Sequence, residues 1–260
     1  LAISSAASDV YKRQLWDSLI DLNGTYPSGG FSLFMDNLEK NSTYYYRWLG
    51  GNSVTSSVWS EPTMDGLSQW WKFNENSGSS AQNEIERNQG TLVGMSDSDR
   101  IFGYEGKALR FEGDGGHVVI KGYKGILGAL PRTSSMWVKT SDANGSLLSW
   151  GDGSAGGSWE LCLENGFLKL DAGNASLIGS TLVNDGQWRL VTAVLPSGSS
   201  VLSDCVLFVD GSLETVSVNP VNGVTLNTQA QDDLMIGSNP SGNHFNGVVD
   251  DLRIYSRGLS

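Results

Sequence analysis

Short stretches of alternating apolar and polar residues fill the chain from residue 66 onward, and clusters of Gly, Asn, Asp and Ser separate them. A period of two is typical of strands that bury one face, and no helical period interrupts it. Many short strands at fairly regular spacing predict an all-β fold, an antiparallel β-sandwich or jelly roll. The predicted strands are 67–73, 90–94, 107–113, 117–122, 134–140, 146–151, 158–164, 167–172, 187–195, 205–211, 232–237 and 248–256.

The chain divides into three regions by composition. Residues 1–14 show no useful periodicity, and we interpret them as a disordered tail or an artefact outside the fold. Residues 15–62 form a short region that ends in a Glu-Pro pair, and residues 66–260 carry the long series of strands. The division predicts one large β domain preceded by a smaller β fragment.

The fragment has its own strand pattern. Strands are predicted at 29–38, 42–51 and 52–62, and Tyr side chains alternate within the second of them. Leu38 and Tyr44 flank a polar turn, a spacing that resembles the tyrosine corner of fibronectin type III and other sandwich domains. The resemblance covers a C-terminal half only, so residues 15–62 are predicted to be a partial fibronectin type III-like domain.

The charge of the chain limits its partners. The formal net charge is −11 and the sequence pI is about 4.5. An acidic surface repels phosphate backbones, which argues against nucleic acid as a partner. The same charge is compatible with the binding of divalent cations or neutral polymers. It is equally compatible with a charge whose only effect is to keep the protein soluble.

Cysteines and apolar runs add two limits. The chain has only Cys162 and Cys205, each in a strand-like stretch, so it is not a disulfide scaffold. Each is most simply a small buried apolar residue, although a bridge between them stays open. No stretch approaches the roughly 20 apolar residues that a membrane-spanning helix requires.

Several tracts of residues 66–260 resemble the concanavalin A-like lectin/glucanase fold in its laminin-G-like jelly-roll branch. They occur in the expected order, and none is specific by itself. Lectins, adhesion modules and enzymes share this fold, so the resemblance implies an architecture more firmly than an activity. The tracts are LSQWWKFNENSG (67–78), FGYEGKALRFEGDGGHVVI (102–120), SSMWVKT (134–140), NDGQWRLVTAV (184–194), LFVDGSL (207–213) and FNGVVDDLRIYSRGLS (245–260).

Catalytic carboxylates are the feature that a glucanase of this fold would need. Two carboxylates must flank the scissile bond, and related glucanases carry them as an acid-x-acid-x-x-acid run on one strand. The chain has no such run. Glu84 and Glu86, like Glu160 and Glu164, fall on one face of a strand, but solvated faces explain both pairs better.

Histidine chemistry is equally limited, because His117 and His244 are the only histidines in the chain. Neither has a partner nearby in the sequence that would build a Ser-His-Asp site. Zinc-protease, dithiol and phosphate-loop motifs are absent from the sequence as well. The sequence therefore predicts that the chain is not an enzyme and has no catalytic residues.

A calcium site is the sharper possibility for a cofactor. Alternation along the last predicted strand places Asp250 on one face with the apolar residues Val248, Leu252 and Ile254. A buried carboxylate needs a cation or several hydrogen-bond donors, because an unpaired buried charge is costly. Asp250 is therefore predicted either to bind Ca²⁺ or to cap backbone amides.

The resemblance adds further calcium ligands. Related domains often place calcium near this aspartate, with help from an Asp/Asn-rich loop after the first strand. The matching loop here is 81–90, so the resemblance implies Asn83 and Asn88 as partners of Asp250. The loop departs from the usual pattern, since Asn83 stands where an aspartate is common. Arg87 offers an alternative way of neutralising a carboxylate.

Tryptophans supply the candidates for packing and for sugar binding. Trp137, Trp159 and Trp188 lie inside alternating strands, which favours a place in the core. The glycine-rich loop 149–159 begins near Trp150 and Asp152, which makes these two the predicted ligand-binding residues. Trp150 has two open roles, because it can stack on a sugar ring or plug the end of the sandwich.

These patterns together predict a non-catalytic module that binds a carbohydrate or another cell-surface ligand, within a larger secreted or surface protein. Its expected partner is a polysaccharide, a glycoconjugate or another surface protein, at an extracellular or cell-surface location. A structural spacer or adhesin repeat without a small-molecule site is one alternative. An accessory domain of a glycoside hydrolase is the other.

Overall fold

The computed structural model describes residues 66–219 and 224–259 in full, together with the backbone of four strands before residue 66. The chain divides into two compact units, residues 1–66 and residues 67–260. No helix in the described part of the chain is long and apolar enough to cross a membrane.

The first unit contains a four-stranded antiparallel sheet in the order β2-β1-β3-β4, in which β3 and β4 cover the strands predicted at 42–51 and 52–62. The strand predicted at 29–38 and the Leu38 side of the tyrosine corner lie outside the described residues. Strand β1 falls inside the segment predicted as a tail, because three residues are too few to show a period. The strands are β1 Ala2–Ser4, β2 Ser18–Leu19, β3 Thr43–Gly50 and β4 Ser53–Ser60.

The second unit consists of strands and two short 3-10 turns, Asp97–Asp99 and Leu202–Asp204, and its described residues form no α-helix. All twelve strands predicted in this region are present. The strands are β5 Leu67–Trp71, β6 Ser80–Ala81, β7 Gly90–Val93, β8 Arg100–Phe102, β9 Lys107–Glu112, β10 His117–Ile120, β11 Arg132–Lys139, β12 Gly145–Gly151, β13 Ser158–Glu164, β14 Phe167–Asp171, β15 Ser176–Leu182, β16 Trp188–Leu195, β17 Val206–Val209, β18 Ser212–Leu213, β19 Ser217–Asn219, β20 Asp232–Ile236 and β21 Asn246–Tyr255.

Two antiparallel sheets build the sandwich. One sheet has nine strands in the order β19-β15-β14-β13-β12-β20-β10-β7-β6. The other sheet has eight strands. Seven lie in the order β18-β17-β16-β11-β21-β9-β8, and the eighth, β5, also pairs with β21. This arrangement confirms the predicted all-β sandwich of the concanavalin A-like jelly-roll type.

Apolar side chains from both sheets fill the space between them. Trp71, Trp150 and Trp159 are the largest, and each is at most 1% exposed. Burying aromatic rings of this size removes much apolar surface from water, which is the main favourable contribution to folding. The expectation of a core position is therefore confirmed for Trp159.

The same expectation is wrong for Trp137 and Trp188, which are only partly buried. Met136 and Val138 are fully buried and take the core-facing positions of β11. Since neighbouring side chains on a strand point to opposite faces, Trp137 faces outward. Trp188 pairs across the strands with Lys139, which shares the outward face.

Arg132 is a fully buried cation at the start of β11. Its Nε donates to the carbonyl of Leu130 (2.9 Å), and its Nη atoms donate to the carbonyls of Ile126 and Gly128 and to the hydroxyl of Thr228. Burial lowers the pKa of Arg132 to about 10. The guanidinium thus satisfies backbone acceptors that would otherwise be buried without donors.

The two cysteines are both buried and unpaired. Cys162 lies in β13 of the nine-stranded sheet, and Cys205 precedes β17 of the other. Burial raises the pKa of both thiols, to about 12 for Cys205. A thiol with a raised pKa carries little thiolate at neutral pH and is a poor nucleophile.

We predict that Arg132→Met lowers the free energy of unfolding by about 3 kcal/mol or more, because it leaves several buried carbonyls without donors. Urea unfolding followed by tryptophan fluorescence measures the change. The control is Arg87→Met, which removes the same side chain from an exposed position and should change stability by less than about 0.5 kcal/mol. Equal losses in the two variants would contradict the role given to Arg132.

Candidate functional site

A β-bulge in β21 sets the geometry of the candidate site. Ser135 of β11 pairs with Arg253 and Trp137 pairs with Asp250, so two residues of β21 stand opposite one residue of β11. Asp251, inside the bulge, has a φ of +51°. The extra residue reverses the alternation of side chains from this point onward.

The bulge corrects the predicted orientation of Asp250. Val249, Leu252 and Ile254 are all fully buried apolar residues and form the core face of β21. Asp250 is the cross-strand neighbour of the outward-facing Trp137 and lies on the outer face of the sheet. The prediction that Asp250 shares a face with Leu252 and Ile254 is therefore wrong, because uninterrupted alternation does not hold across a bulge.

The turn between β8 and β9 covers this part of the outer face. Its Tyr104 stacks on Trp137, with ring centroids 3.6 Å apart and an angle of 13° between the planes. The ring centroid of Trp188 lies 6.2 Å from that of Tyr104, and the angle between the ring planes is 74°, so the two rings meet edge to face. Tyr104 is 53% exposed, so one ring face packs on Trp137 and the other faces solvent. We call Tyr104, Trp137 and Trp188 the aromatic platform.

Asp250 holds this turn in place from below. Its Oδ2 accepts a hydrogen bond from the backbone N–H of Glu105, at 3.0 Å, and the backbone N–H of Tyr104 also interacts with this carboxyl group. Gly103 permits the close approach, since a Cβ at this position would lie 2.5 Å from Oδ2 of Asp250. Of the two roles predicted for Asp250, the capping of backbone amides is the one that these contacts support.

The second oxygen of Asp250 has a different environment. Asp250 is 0% exposed, and its Oδ1 has no hydrogen-bond partner among the described residues. Burial raises the pKa of the Asp250 carboxyl to about 6. A buried acceptor without a donor costs free energy, so this oxygen is a point where a hydroxyl or a cation would be stabilised.

A small pocket adjoins this aspartate on the outer face of the sheet, with room for a group about the size of a hydroxyl or a water molecule. Nε1 of Trp70 donates to Oδ1 of Asp251, and Arg253 pairs with Oδ2 of the same carboxylate at 2.8 Å. Nζ of Lys72 lies 4.1 Å from the centroid of the Trp70 ring. We call this the polar pocket, which is lined by Trp70, Lys72, Asn74, Glu105, Asp250 and Asp251.

The asparagines predicted to complete a calcium site belong to a separate network. Oδ1 of Asn83 accepts from the backbone N–H groups of Ile85 and Glu86, at 2.9 and 3.1 Å. The side-chain amides of Asn83 and Asn88 both donate to Oε1 of Gln69. No contact in the described part of the chain joins either asparagine to Asp250, and the described residues hold no cluster of three His, Cys, Asp or Glu suited to a metal ion. Both asparagines are therefore engaged with Gln69 and with their own loop, and the calcium site stays a prediction.

The predicted sugar-binding pair is also placed differently from the expectation. Trp150 is 1% exposed, donates from Nε1 to the carbonyl of Ile126 and stacks near Trp159. A ring buried to this extent has no free face for a sugar, so its burial supports the packing role. Oδ1 of Asp152 accepts from the backbone N–H and the hydroxyl of Ser154, which shapes its own loop.

Titratable side chains elsewhere are held in ordinary pairs. Nδ1 of His244 lies 2.9 Å from the hydroxyl of Ser238, and Nδ1 of His117 lies 2.8 Å from the carbonyl of Gly115. Asn239 donates to Glu160, whose pKa is raised by burial. No contact described for either histidine joins it to a carboxylate, as a Ser-His-Asp arrangement would require.

Comparison with known proteins identifies the family. The sequence matches the family described as the concanavalin A-like lectin/glucanases superfamily over residues 112–260. The chain belongs to this superfamily. No curated protein sequence matches it at a significant level.

Several solved structures are similar to this lectin/glucanase-superfamily chain at low sequence identity. Domain 4 of AbnA, an extracellular GH43 arabinanase from Geobacillus stearothermophilus solved with arabinotriose, has a TM-score of 0.56 at 18% identity, over 75% of this chain and 94% of that one. A Trypanosoma rangeli sialidase has a TM-score of 0.49 at 14% identity, over 78% of this chain and 32% of that one. The CBM40 domain of a Ruminococcus gnavus sialidase has a TM-score of 0.46 at 19% identity, over 59% of this chain and 91% of that one.

We predict that Asp250→Asn flattens the dependence of stability on pH in this superfamily member. The folded pKa of about 6 lies above the ordinary value of 3.8, so between these values the folded state holds the proton more tightly than the unfolded state. The stability that Asp250 contributes is therefore complete near pH 4 and falls as the pH rises through 6. The neutral amide should match wild type near pH 4 and exceed it by about 1–3 kcal/mol at pH 7.

Urea unfolding at several pH values between 4 and 7 measures this difference. The control is Asp142→Asn, an identical substitution at an exposed position, which should follow the wild-type curve. Parallel curves for wild type and Asp250→Asn would contradict the burial of a charged Asp250.

Proposed function

We propose that residues 67–260 form a non-catalytic carbohydrate-binding module that holds its glycan on the aromatic platform and the polar pocket. The observation that carries the proposal is the open face of Tyr104, more than half exposed and backed by Trp137, beside a buried oxygen of Asp250 that lacks a donor. Apolar ring faces with a few convergent polar groups are typical of small-ligand sites.

The chemistry of sugars matches both parts of this surface. The face of a pyranose or furanose ring presents C–H groups, which are attracted to the electron-rich face of an aromatic ring. Its hydroxyl groups donate hydrogen bonds, which the acceptors of the pocket can receive. The stack of Tyr104 on Trp137 also fixes the outer ring, so little conformational entropy is lost when a sugar binds.

Membership of the superfamily and the neighbouring structures support this function at a coarse level. The solved neighbours include binding or accessory domains of glycoside hydrolases and sialidases, one of them in complex with arabinotriose. An accessory domain of a secreted glycoside hydrolase is therefore the second candidate, favoured by the likeness to domain 4 of an extracellular arabinanase. In both cases the module serves a larger secreted or surface protein.

Calcium stays a prediction, with Oδ1 of Asp250, which lacks a described donor, as a predicted ligand atom. Binding of Ca²⁺ there would stabilise the folded state more as the free Ca²⁺ concentration rises above the dissociation constant. A melting temperature that rises with CaCl₂ in wild type but not in Asp250→Asn would support it. A melting temperature that neither CaCl₂ nor a chelator changes would rule it out.

We predict that Tyr104→Ala weakens glycan binding at least about tenfold, since it removes the exposed ring of the platform. Affinity electrophoresis in gels containing arabinan, xylan, β-glucan, galactan or pectin gives the first measurement, and calorimetry with the matching oligosaccharide gives the affinity. Leu130→Ala is the control, because Leu130 is 62% exposed and lies outside the platform and the pocket. If the Tyr104 variant retained full affinity, or no glycan bound wild type, the proposed site would be wrong.

A further inference from the structure

We propose that the site selects uncharged glycans, by accepting a hydrogen bond from a sugar hydroxyl at Oδ1 of Asp250, and that it discriminates against sugars that carry a carboxylate. This inference rests on the proposed function and specifies the class of ligand. It uses the pocket below the platform, whereas the platform alone would stack on neutral and acidic sugars alike.

The first step is the unequal use of the two oxygens of Asp250. Oδ2 accepts a hydrogen bond from the backbone N–H of Glu105, and this interaction anchors the turn. Oδ1 has no partner in the described structure although the residue is 0% exposed and lines the polar pocket. A ligand that brings a donor to Oδ1 removes the cost of an unsatisfied buried acceptor and forms a charge-assisted hydrogen bond. A ligand that brings another acceptor does neither.

The second step is the size of the pocket. The enclosed space beside Asp250 is about the size of a hydroxyl or a water molecule. A hydroxyl of a sugar ring fits this space and carries the required proton. A carboxylate or an acetamido group is larger, and a carboxylate has no proton to donate at neutral pH.

The third step is the local charge. Three carboxylates, those of Glu105, Asp250 and Asp251, line the pocket, and Lys72 is the cation among its lining residues. Arg253 pairs with Asp251 at 2.8 Å and neutralises part of that charge, so Glu105 and Asp250 carry most of the repulsion. Nζ of Lys72 lies 3.8 Å from Glu84, so a carboxylate already neutralises part of its charge. Like charges at short range repel in a partly desolvated site, which lowers the affinity for an anionic sugar. The net charge of −11 adds to this repulsion at longer range.

One cation near the platform, Lys139, would favour an acidic glycan, so the experiment includes a variant of this residue. Lys139 is exposed and is the cross-strand neighbour of Trp188 in the platform. An acidic glycan that bound this surface would be expected to pair with Lys139. Its affinity would then depend strongly on salt concentration.

The experiment compares one oligosaccharide in two forms. The full chain is titrated by calorimetry with neutral trisaccharides, namely arabinotriose, xylotriose, cellotriose and galactotriose, and with trigalacturonate and α2,3-sialyllactose. The tightest binder with a primary alcohol is then compared with its C6-oxidised form, which differs only in carrying a carboxylate. We expect the neutral form to bind at least about tenfold more tightly, with little dependence on NaCl between 50 and 500 mM.

Asp250→Asn tests the residue itself. The amide keeps an oxygen for the backbone N–H groups of the turn but replaces the second acceptor with a donor. We expect it to weaken binding of the neutral trisaccharide by about tenfold and to reduce the penalty for the oxidised form. The control Asp142→Asn makes the same chemical change at an exposed position and should bind as wild type does. Thermal melting of each variant establishes that it is folded.

The outcomes separate this inference from the proposed function. If no glycan of either class binds, the proposed function itself is wrong. If the oxidised or sialylated sugars bind as well as the neutral ones, or lose affinity in Lys139→Gln, the inference is overturned while the binding function stands. The same holds if Tyr104→Ala abolishes binding and a folded Asp250→Asn leaves it unchanged.

Discussion

One extra residue in the closing strand β21 determines where the candidate site lies. The bulge at Asp251 lets Val249 on one side and Leu252 and Ile254 on the other all face the core, while Asp250 between them faces outward. Without the bulge, Asp250 would share a face with Leu252 in the apolar interior, at a high cost in free energy. With the bulge, the carboxylate accepts a hydrogen bond from the backbone of the β8–β9 turn, and this turn places Tyr104 on Trp137.

This arrangement costs the fold some stability. Asp250 is fully buried, has a raised pKa and leaves one oxygen without a donor in the described structure. The turn also requires a residue without a Cβ at Gly103, where a side chain would clash with Asp250. Proteins tend to retain such costs where they serve a purpose. Asp250 meets this description, because the unsatisfied oxygen lies next to an exposed aromatic ring.

The sequence predicts the architecture well and the site poorly, for physical reasons. Alternation is strong in strands such as β11 and β16, since one face must be apolar wherever two sheets meet. It is weak in β15, whose Ser, Gly and Thr residues do not alternate clearly with apolar ones.

The site is harder to predict, because a β-bulge cannot be recognised from the alternation until the partner strand is known. Uninterrupted alternation therefore predicts the wrong face of the sheet for Asp250. Tyr104 sits in a glycine-flanked turn, and only the fold reveals that this turn reaches back to Trp137 two strands away. The place of Trp150 beside a glycine-rich loop predicts a ligand-binding residue, yet every residue of β12 is buried.

The position of the platform has a consequence for how weak ligands can be held. Trp137 and Trp188 belong to β11 and β16, which lie side by side within the eight-stranded sheet, and Asp250 lies in the next strand on the other side of β11. Side chains on paired strands lose little freedom on binding, because the sheet already holds their backbone in place. Individual sugars bind proteins through few contacts, so even a small ordering cost would remove most of the affinity. A sheet face on which Asp250 holds the β8–β9 turn in place avoids that cost. Binding specificity would then be set by the single unsatisfied oxygen rather than by loops at the rim.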